Sequence, residues 1–193
     1  MQTLIGIDYG AKMSGTTALA ILNNPTNIVQ ILCCEKKYDA DKFILNHLSK
    51  IENALVFIDA PLSLPGIYRD REICNHYFYR KADQQLQAMS PMFLGGLTAR
   101  AMQLNSESIH LFHEVYPAAL AKQLQLQELH YKKEKMQIQH VVNYLIEKFD
   151  LETENSFKTW HEVDALLALI TGIRINNGTA QKYGDEIEGV IYV

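Results

Sequence analysis

Cysteine is scarce in this chain of 193 residues, and the spacings that usually mark a zinc site are missing. The three cysteines are Cys33, Cys34 and Cys74. Two of them are adjacent and cannot readily bridge one another, and no Cys-x-x-Cys pair occurs. The histidines show neither His-x-His nor His-x-x-x-His spacing, which argues against zinc. We therefore expect free thiols, a reducing compartment and a cytoplasmic location.

Long apolar runs and an excess of positive charge are also missing. No stretch approaches ~18 apolar residues, so we expect no transmembrane helix. The first residues lack a basic stretch followed by a long apolar core, so we expect no signal peptide. The formal net charge of -4 argues against broad electrostatic capture of nucleic acid, but it leaves room for a local basic groove beside an acidic pocket.

The composition is that of a globular protein, with 48% hydrophobic and 21% charged residues. Residues 4–8, 16–22 and 28–33 have strand composition and are joined by short turns, which predicts an antiparallel meander. Residues 39–51 show helical spacing. The continuous apolar run at 55–58 is typical of a central strand that is covered on both faces. The pattern therefore predicts an α/β fold.

Prolines and glycines interrupt this succession of predicted strands and helices over residues 61–108. We interpret this segment as an insertion or lid beside the sheet, with a polar helix at 71–86. A fifth strand is predicted at 109–115, and the end of the chain at 189–193 is predicted to add a short edge strand or to pack against the core.

The last third of the chain is predicted to be mainly helical. Helices are expected at 118–126, 132–149 and 160–173. The last of these begins with a capping box, in which Thr159 is the N-cap and Glu162 occupies the third helical position.

Three aspartates are the candidate catalytic residues and metal ligands. Asp8 ends an apolar run and enters a glycine-containing turn, and Asp59 directly follows four apolar residues. A buried carboxylate is costly unless it is paired or metal-bound. Asp164 lies inside the last predicted helix. Because ligands gather at strand ends in open α/β sheets, we predict that these side chains converge on Mg²⁺ or Mn²⁺.

Each aspartate also has a purely structural interpretation. Asp8 suits the start of a turn, Asp59 suits an ordinary position after a strand, and Asp164 suits a helix boundary where it pairs with an arginine. Glu114 ends another apolar-rich segment and is a candidate fourth catalytic carboxylate, or a structural hydrogen-bond acceptor at a strand end. His161 is interpreted as an exposed residue at a helix start that could orient a ligand.

Basic and aromatic residues are interleaved in the predicted insertion. This combination suits single-stranded or flipped-out nucleic acid, and DNA or RNA is the expected partner. The alternatives are a solvated helix over a small hydrophobic cluster, or a homodimer surface. The candidate substrate-binding residues are Arg69, Arg71, Arg80, Lys81 and Arg100, and the interleaved aromatic residues are Tyr68, Tyr77, Phe78 and Tyr79.

Four short segments in order along the chain resemble the RNase H-like superfamily, in particular a prokaryotic family of predicted RNase H-like nucleases. The segments are Ile5-Gly6-Ile7-Asp8-Tyr9-Gly10, Phe57-Ile58-Asp59-Ala60-Pro61-Leu62, Glu114-Val115-Tyr116-Pro117 and Asp164-Ala165-Leu166-Leu167-Ala168. The layout looks closer to Holliday-junction-resolvase-like nucleases than to ribonuclease H, because no glutamate on the first helix is convincingly placed.

The resemblance implies one RNase H-like domain over 1–193, with a mixed five-stranded sheet, the first three strands antiparallel and helices on both faces. It also implies phosphodiester hydrolysis by two metal ions held by Asp8, Asp59 and Asp164, with Glu114 assisting.

Two other functions remain open from the sequence. A nucleotide-binding or phosphotransfer protein of the actin and sugar-kinase type has a similar turn, here Gly6 to Gly10 followed by Thr16 and Thr17. Such proteins normally duplicate the core, and 193 residues hold one copy. The other alternative is a catalytically inactive RNase H-like scaffold.

Overall fold

The computed structural model describes residues 2–23, 26–69, 71, 74 and 76–193, and these form a mixed seven-stranded sheet. The predicted number of five strands is therefore wrong. The strands are β1 (Thr3–Asp8), β2 (Ala18–Asn23), β3 (Val29–Cys33), β4 (Ala54–Asp59), β5 (Leu111–Val115), β6 (Lys182–Asp185) and β7 (Gly189–Tyr192). Their order across the sheet is β3-β2-β1-β4-β5-β7-β6.

Strand direction changes along the sheet. β1, β2 and β3 are antiparallel, as the short turns predicted, whereas β4 is parallel to β1 and β5 is parallel to β4. β7 pairs in parallel with β5 and antiparallel with β6. The segment at 189–193, expected at an edge or packed against the core, thus contributes β7 as an inner strand, and the edge strand is β6, which the sequence analysis does not predict.

Seven α-helices are described. They are α1 (Ala40–Leu48), α2 (Lys81–Leu86), α3 (Pro91–Leu94), α4 (Gly96–Glu107), α5 (Pro117–Gln123), α6 (Ile138–Lys148) and α7 (Trp160–Asn176). The predicted helix at 71–86 is helical only over α2 within the described residues, and positions 72, 73 and 75 lie outside them.

The sheet separates two hydrophobic cores. Helices α5, α6 and α7 cover one face, against side chains such as Leu4 and Phe57. Helices α1 and α4 cover the other face, against Ile5 and Ile58. Because neighbouring residues of a strand point to opposite faces, this division assigns a face to every strand residue, including those at the strand ends.

Helix α7 is the central helix of the fold. Thr159 caps it by accepting a hydrogen bond from the Glu162 amide, and the Glu162 side chain accepts one from the Thr159 amide, which confirms the predicted capping box. All residues from 162 to 172 are buried. A helix that is buried around its whole circumference lies in the interior of the fold, and α7 packs across β1, β2 and β4.

The segment between β4 and β5 is tied to the C-terminal hairpin. The buried Glu188 carboxylate accepts hydrogen bonds from the amides of Gly66 at 2.7 Å and Lys81 at 2.9 Å. The amide of Gly184 donates to Gln85 Oε1 at 2.8 Å. Helix α4, at the end of the segment, packs against α1. The segment is therefore integrated into the domain at both ends.

Among the helices of the described residues, none has the length and apolar character needed to span a membrane. The same residues contain no disulfide.

Gly6 permits the close contact between β1 and α7. A Cβ atom at this position would lie 2.2 Å from the Leu169 nitrogen and 2.3 Å from the Ala165 carbonyl oxygen. Both are backbone atoms and cannot rotate away. We therefore expect Gly6→Ala to lower the free energy of unfolding by roughly 2–4 kcal/mol, measured by urea denaturation.

Gly96→Ala is the matched control, because a Cβ atom there would meet nothing within 4 Å and alanine favours a helix. Equal stability of the two variants would contradict the proposed close contact.

Candidate functional site

Adjacent parallel strands bring Asp8 and Asp59 together. β1 and β4 are in register, so Asp8 and Asp59 are direct partners at the carboxyl ends of the two strands. Neighbouring strands lie about 4.8 Å apart, and partners in register share a face of the sheet. The alternation of the two cores places both carboxylates on the face that α7 covers.

Helix α7 contributes Asp164 on the same side, and this carboxylate is already paired. It is 3% exposed, its Oδ1 accepts a hydrogen bond from the Tyr131 hydroxyl, and its Oδ2 lies 2.6 Å from the Lys132 ammonium. Asp164 therefore faces inward. Its partners are a tyrosine and a lysine, and no arginine is among them within the described residues.

His161, in the first turn of α7, contacts Asp8. Its Nδ1 lies 2.7 Å from Asp8 Oδ2, and this hydrogen bond raises the pKa of His161 although burial opposes the shift. The imidazole is half-exposed. His161 therefore belongs to the carboxylate cluster and is more than an ordinary exposed residue at a helix start.

Asp59 differs from its neighbours because nothing neutralises it directly. Among the described residues, none donates a hydrogen bond to its carboxylate or lies within ion-pair distance. Burial, followed by the charges of Asp8 and Asp164, holds the pKa of Asp59 well above its usual range, while Lys132 has the opposite influence. Asp59 is partly buried, and a carboxylate withdrawn from water without a partner is costly, so this position favours a proton or a cation.

A cavity of about 320 Å³ opens beside these strand ends. Asp8 and Asp59 lie in its wall together with Tyr116, Met89 and Glu114. The two strand-end carboxylates are therefore accessible to a ligand.

Glu114 is in the cavity wall, but an arginine holds its carboxylate. Glu114 pairs with Ile58 in the sheet register and so points to the opposite face from Asp59. Its oxygens accept from Arg80 at 2.6 and 2.7 Å and from the Leu62 amide at 2.9 Å. This geometry matches the structural interpretation of Glu114 and leaves it poorly placed as a fourth catalytic carboxylate.

Arg80 is placed in the interior, away from a substrate-facing position. It is fully buried, and its five N–H groups are all used, in bidentate pairs with Glu114 and Asp83 and in a bond to Ser63 Oγ. A guanidinium has five donors, so none remains for a phosphate. The predicted substrate contact by Arg80 is corrected to a structural role between the insertion and β5.

The other predicted substrate-binding residues are more accessible. Arg100 stacks on the Tyr9 ring at 4.7 Å and forms a bidentate pair with Asp41 at 2.7 and 3.0 Å. Arg69 donates to the Ile187 carbonyl, Lys81 lies 3.6 Å from Asp185, and Arg71 is exposed. They are distributed over the insertion surface.

The glycine turn after β1 is filled by its own side chains. The Gly10 amide donates to Thr17 Oγ1 at 3.0 Å, and a Cβ atom at Gly10 would lie 2.0 Å from Thr16 Oγ1. Gly15 has a left-handed φ of 72°. Packing inside the protein therefore accounts for these glycines, and close approach of a ligand is not required to explain them.

Two cluster residues were missed by sequence reasoning, Tyr131 and Lys132. They follow a 3-10 turn at Leu126–Leu129, and Lys132 has a left-handed φ of 59°. Tyr131 packs edge-to-face on Trp160 at 5.3 Å, which brings Lys132 to Asp164. A run of lysines beside glutamate carries no local signal for such a contact.

The cluster contains Asp8, which has one unpaired carboxylate oxygen, and Asp59, whose two oxygens are both unpaired. Its third carboxylate, Asp164, is already neutralised, and its two basic groups are His161 and Lys132. Among the described residues, no three His, Cys, Asp or Glu side chains converge closely enough to hold an ion as a preformed cage. Mg²⁺ is nevertheless often held by one or two carboxylates, with water and substrate phosphates as the other ligands. Asp8 and Asp59 fit that smaller requirement.

A scan against protein-family models and a search of curated proteins both find no match to this chain.

Asp59→Asn is expected to stabilise the protein in the absence of divalent cations. The pKa of Asp59 is raised in the folded state, so its stabilising contribution is complete below about pH 4 and is lost as the pH rises through the raised value. Asparagine does not ionise. The difference between variant and wild type should therefore grow with pH, to roughly 1–2 kcal/mol at pH 7 by urea unfolding in EDTA.

Asp150→Asn is the control, because Asp150 is exposed and lies outside the cluster in a left-handed conformation that asparagine tolerates. A variant at position 59 that is no more stable than wild type at pH 7 would show that the carboxylate carries no unfavourable charge.

Proposed function

We propose that this protein is a divalent-metal-dependent nuclease with an RNase H-like core, which hydrolyses phosphodiester bonds in DNA or RNA. One observation carries the proposal. The Asp59 carboxylate lies beside Asp8 in a cavity wall, and no described residue neutralises it. A cation bound at this position would neutralise the carboxylate and so explain why the fold retains it.

The architecture is compatible with the proposed core. The sheet is mixed, its first three strands are antiparallel, and helices cover both faces, as the resemblance implies. The C-terminal hairpin adds two strands beyond β5. Three of the four segments that carry the resemblance contribute Asp8, Asp59 and Asp164 to one cluster, which supports the same proposal.

Mg²⁺ or Mn²⁺ is the proposed cofactor, held by Asp8 and Asp59. Both ions prefer oxygen ligands. When bound, such an ion activates water and neutralises negative charge on a phosphate. Because His161 uses one oxygen of Asp8, the other oxygen is free to bind the ion. His161 thereby orients the Asp8 carboxylate toward the cavity.

His161 also has a proposed contact with the substrate. With Nδ1 bonded to Asp8, its Nε2 has no partner among the described residues. In hydrolysis, water loses a proton as its oxygen forms a bond to phosphorus, the bond from phosphorus to a sugar oxygen breaks, and that sugar oxygen takes up a proton. An imidazolium stabilised by Asp8 can donate a hydrogen bond to a phosphate oxygen at this position.

Exposed aromatic side chains beside the cavity support nucleic acid as the substrate. Phe78 and Phe93 stack at 5.5 Å and are 49% and 64% exposed. Phe93 lies on α3 next to Leu94, which lines the cavity with Met89. Bases of a single strand stack on such surfaces regardless of sequence. Arg69, Arg71, Lys81 and Arg100, elsewhere on the insertion, are the proposed phosphate contacts.

The same aromatic surface would be covered in a homodimer. The mass of the protein in solution, measured by light scattering, distinguishes the two uses. A monomer leaves Phe78 and Phe93 available to nucleic acid, whereas a dimer that is broken by substitution of these residues assigns them to self-association.

Metal binding is the first test of the proposal. We expect millimolar Mg²⁺ or Mn²⁺ to stabilise the wild type by about 2–3 kcal/mol at 100 times the dissociation constant, and so to raise the melting temperature by several degrees. Asp8→Asn and Asp59→Asn should lose this shift, whereas Asp150→Asn should keep it. The same two substitutions should reduce cleavage of labelled DNA and RNA by about 100-fold or more.

Two outcomes would contradict the nuclease proposal. Equal melting temperatures with and without Mn²⁺ would show that the protein has no such metal site. Stabilisation by ATP with Mg²⁺ but not by Mg²⁺ alone, without cleavage of any nucleic acid, would favour nucleotide binding.

Substrate binding is tested at Phe93. In an Asp59→Asn background, which prevents cleavage, Phe93→Ala should weaken binding of a fluorescent single-stranded oligonucleotide by about tenfold or more, because a base stack contributes roughly 1–3 kcal/mol. Fluorescence anisotropy measures the affinity. Tyr38→Ala is the control, since Tyr38 is an exposed aromatic residue outside the insertion. Equal loss of affinity in both variants would argue against a stacking surface at α3.

A further inference from the structure

The third carboxylate of the cluster is occupied on both oxygens by protein groups. Asp164 Oδ1 accepts from the Tyr131 hydroxyl, and Oδ2 lies 2.6 Å from the Lys132 ammonium. The carboxylate is almost completely buried. An ion that used Asp164 as a ligand would have to displace Lys132.

We propose that Lys132 takes the place of a second metal ion, so that the site binds one divalent cation at Asp8 and Asp59 and uses the ammonium group as its other positive charge. The inference rests on the proposed function, because it concerns the number of ions in that same site. It replaces the expectation that Asp164 is a metal ligand and that the site holds two ions.

The charge balance favours one ion. Asp8, Asp59 and Asp164 together carry three negative charges when ionised, and Lys132 interacts electrostatically with all three. One divalent ion and one ammonium neutralise this set. Two divalent ions with Lys132 in place would leave an excess of two positive charges.

The ammonium group is held in position by packing. Tyr131 is buried, contacts the Trp160 ring edge-to-face at 5.3 Å and bonds Asp164 through its hydroxyl. Lys132 follows directly, and its Nζ lies 5.3 Å from the centre of the Tyr131 ring. A lysine anchored in this way loses less freedom on binding a ligand than a surface lysine does.

The ammonium group also retains capacity for a substrate. It has three N–H donors, and Asp164 is the carboxylate within ion-pair distance of it among the described residues. The Lys132 side chain is 47% exposed. Its remaining donors are therefore available to a phosphate oxygen, and Lys132 would contribute a positive charge to the bound phosphate.

The number of bound ions tests the inference without reference to activity. Isothermal titration calorimetry with Mn²⁺, checked by electron paramagnetic resonance of free Mn²⁺, is expected to give one ion per chain for the wild type. Lys132→Met removes the built-in cation and frees an Asp164 oxygen, so its count should rise to two. Lys133→Met, at the exposed neighbouring lysine, should keep the count at one.

Each result decides between distinct conclusions. Two ions in the wild type, or one ion in both the wild type and Lys132→Met, would overturn the role of Lys132 and leave the metal site intact. No ion in the wild type would remove the proposed metal site itself. Lys132→Gln, which keeps a polar end, provides the same count if Lys132→Met does not fold, as judged by circular dichroism.

Discussion

The close approach of α7 to β1 is the constraint on which the site depends. Gly6 has no side chain, so the backbone of α7 at Ala165 and Leu169 lies directly against the strand. This contact places the first turns of α7 above the carboxyl ends of β1 and β4, and therefore brings His161 and Asp164 to the aspartates that end those strands. A larger residue at position 6 would push the helix away and separate the cluster.

The cluster brings three carboxylates together, and the basic groups that contact them are Lys132 and His161. Two core layers provide the stability that this arrangement requires, because a partly buried carboxylate without a partner, such as Asp59, opposes folding when it is ionised. The protein neutralises Asp164 with Lys132 and gives Asp8 a histidine partner. Asp59 has no partner among the described residues, and the proposed metal ion would neutralise it together with the remaining oxygen of Asp8.

Local patterns predicted much of the scaffold but misassigned several polar residues. The apolar runs of β1 and β4 and the Thr159 capping box could be predicted from the sequence, because each depends on neighbouring residues within one element. The strand β6 was missed because it is short and polar, contains Gly184, and is held by Gln85 of α2. Arg80 and Glu114 looked like a surface cation and a catalytic acid, yet they are partners 34 positions apart in the chain, a pairing that no local pattern encodes.

By itself the sequence determined which residues end the strands and which helix carries an inward-facing carboxylate, since strand alternation and helix periodicity follow from local backbone geometry. Tertiary structure decided the number of strands, the pairing of Asp8 with Asp59, and the neutralisation of Asp164 by a lysine in a left-handed backbone conformation. The physical reason is the separation along the chain over which each kind of interaction acts. Backbone periodicity acts over a few residues, whereas charge neutralisation and packing act between whichever side chains the folded chain brings together.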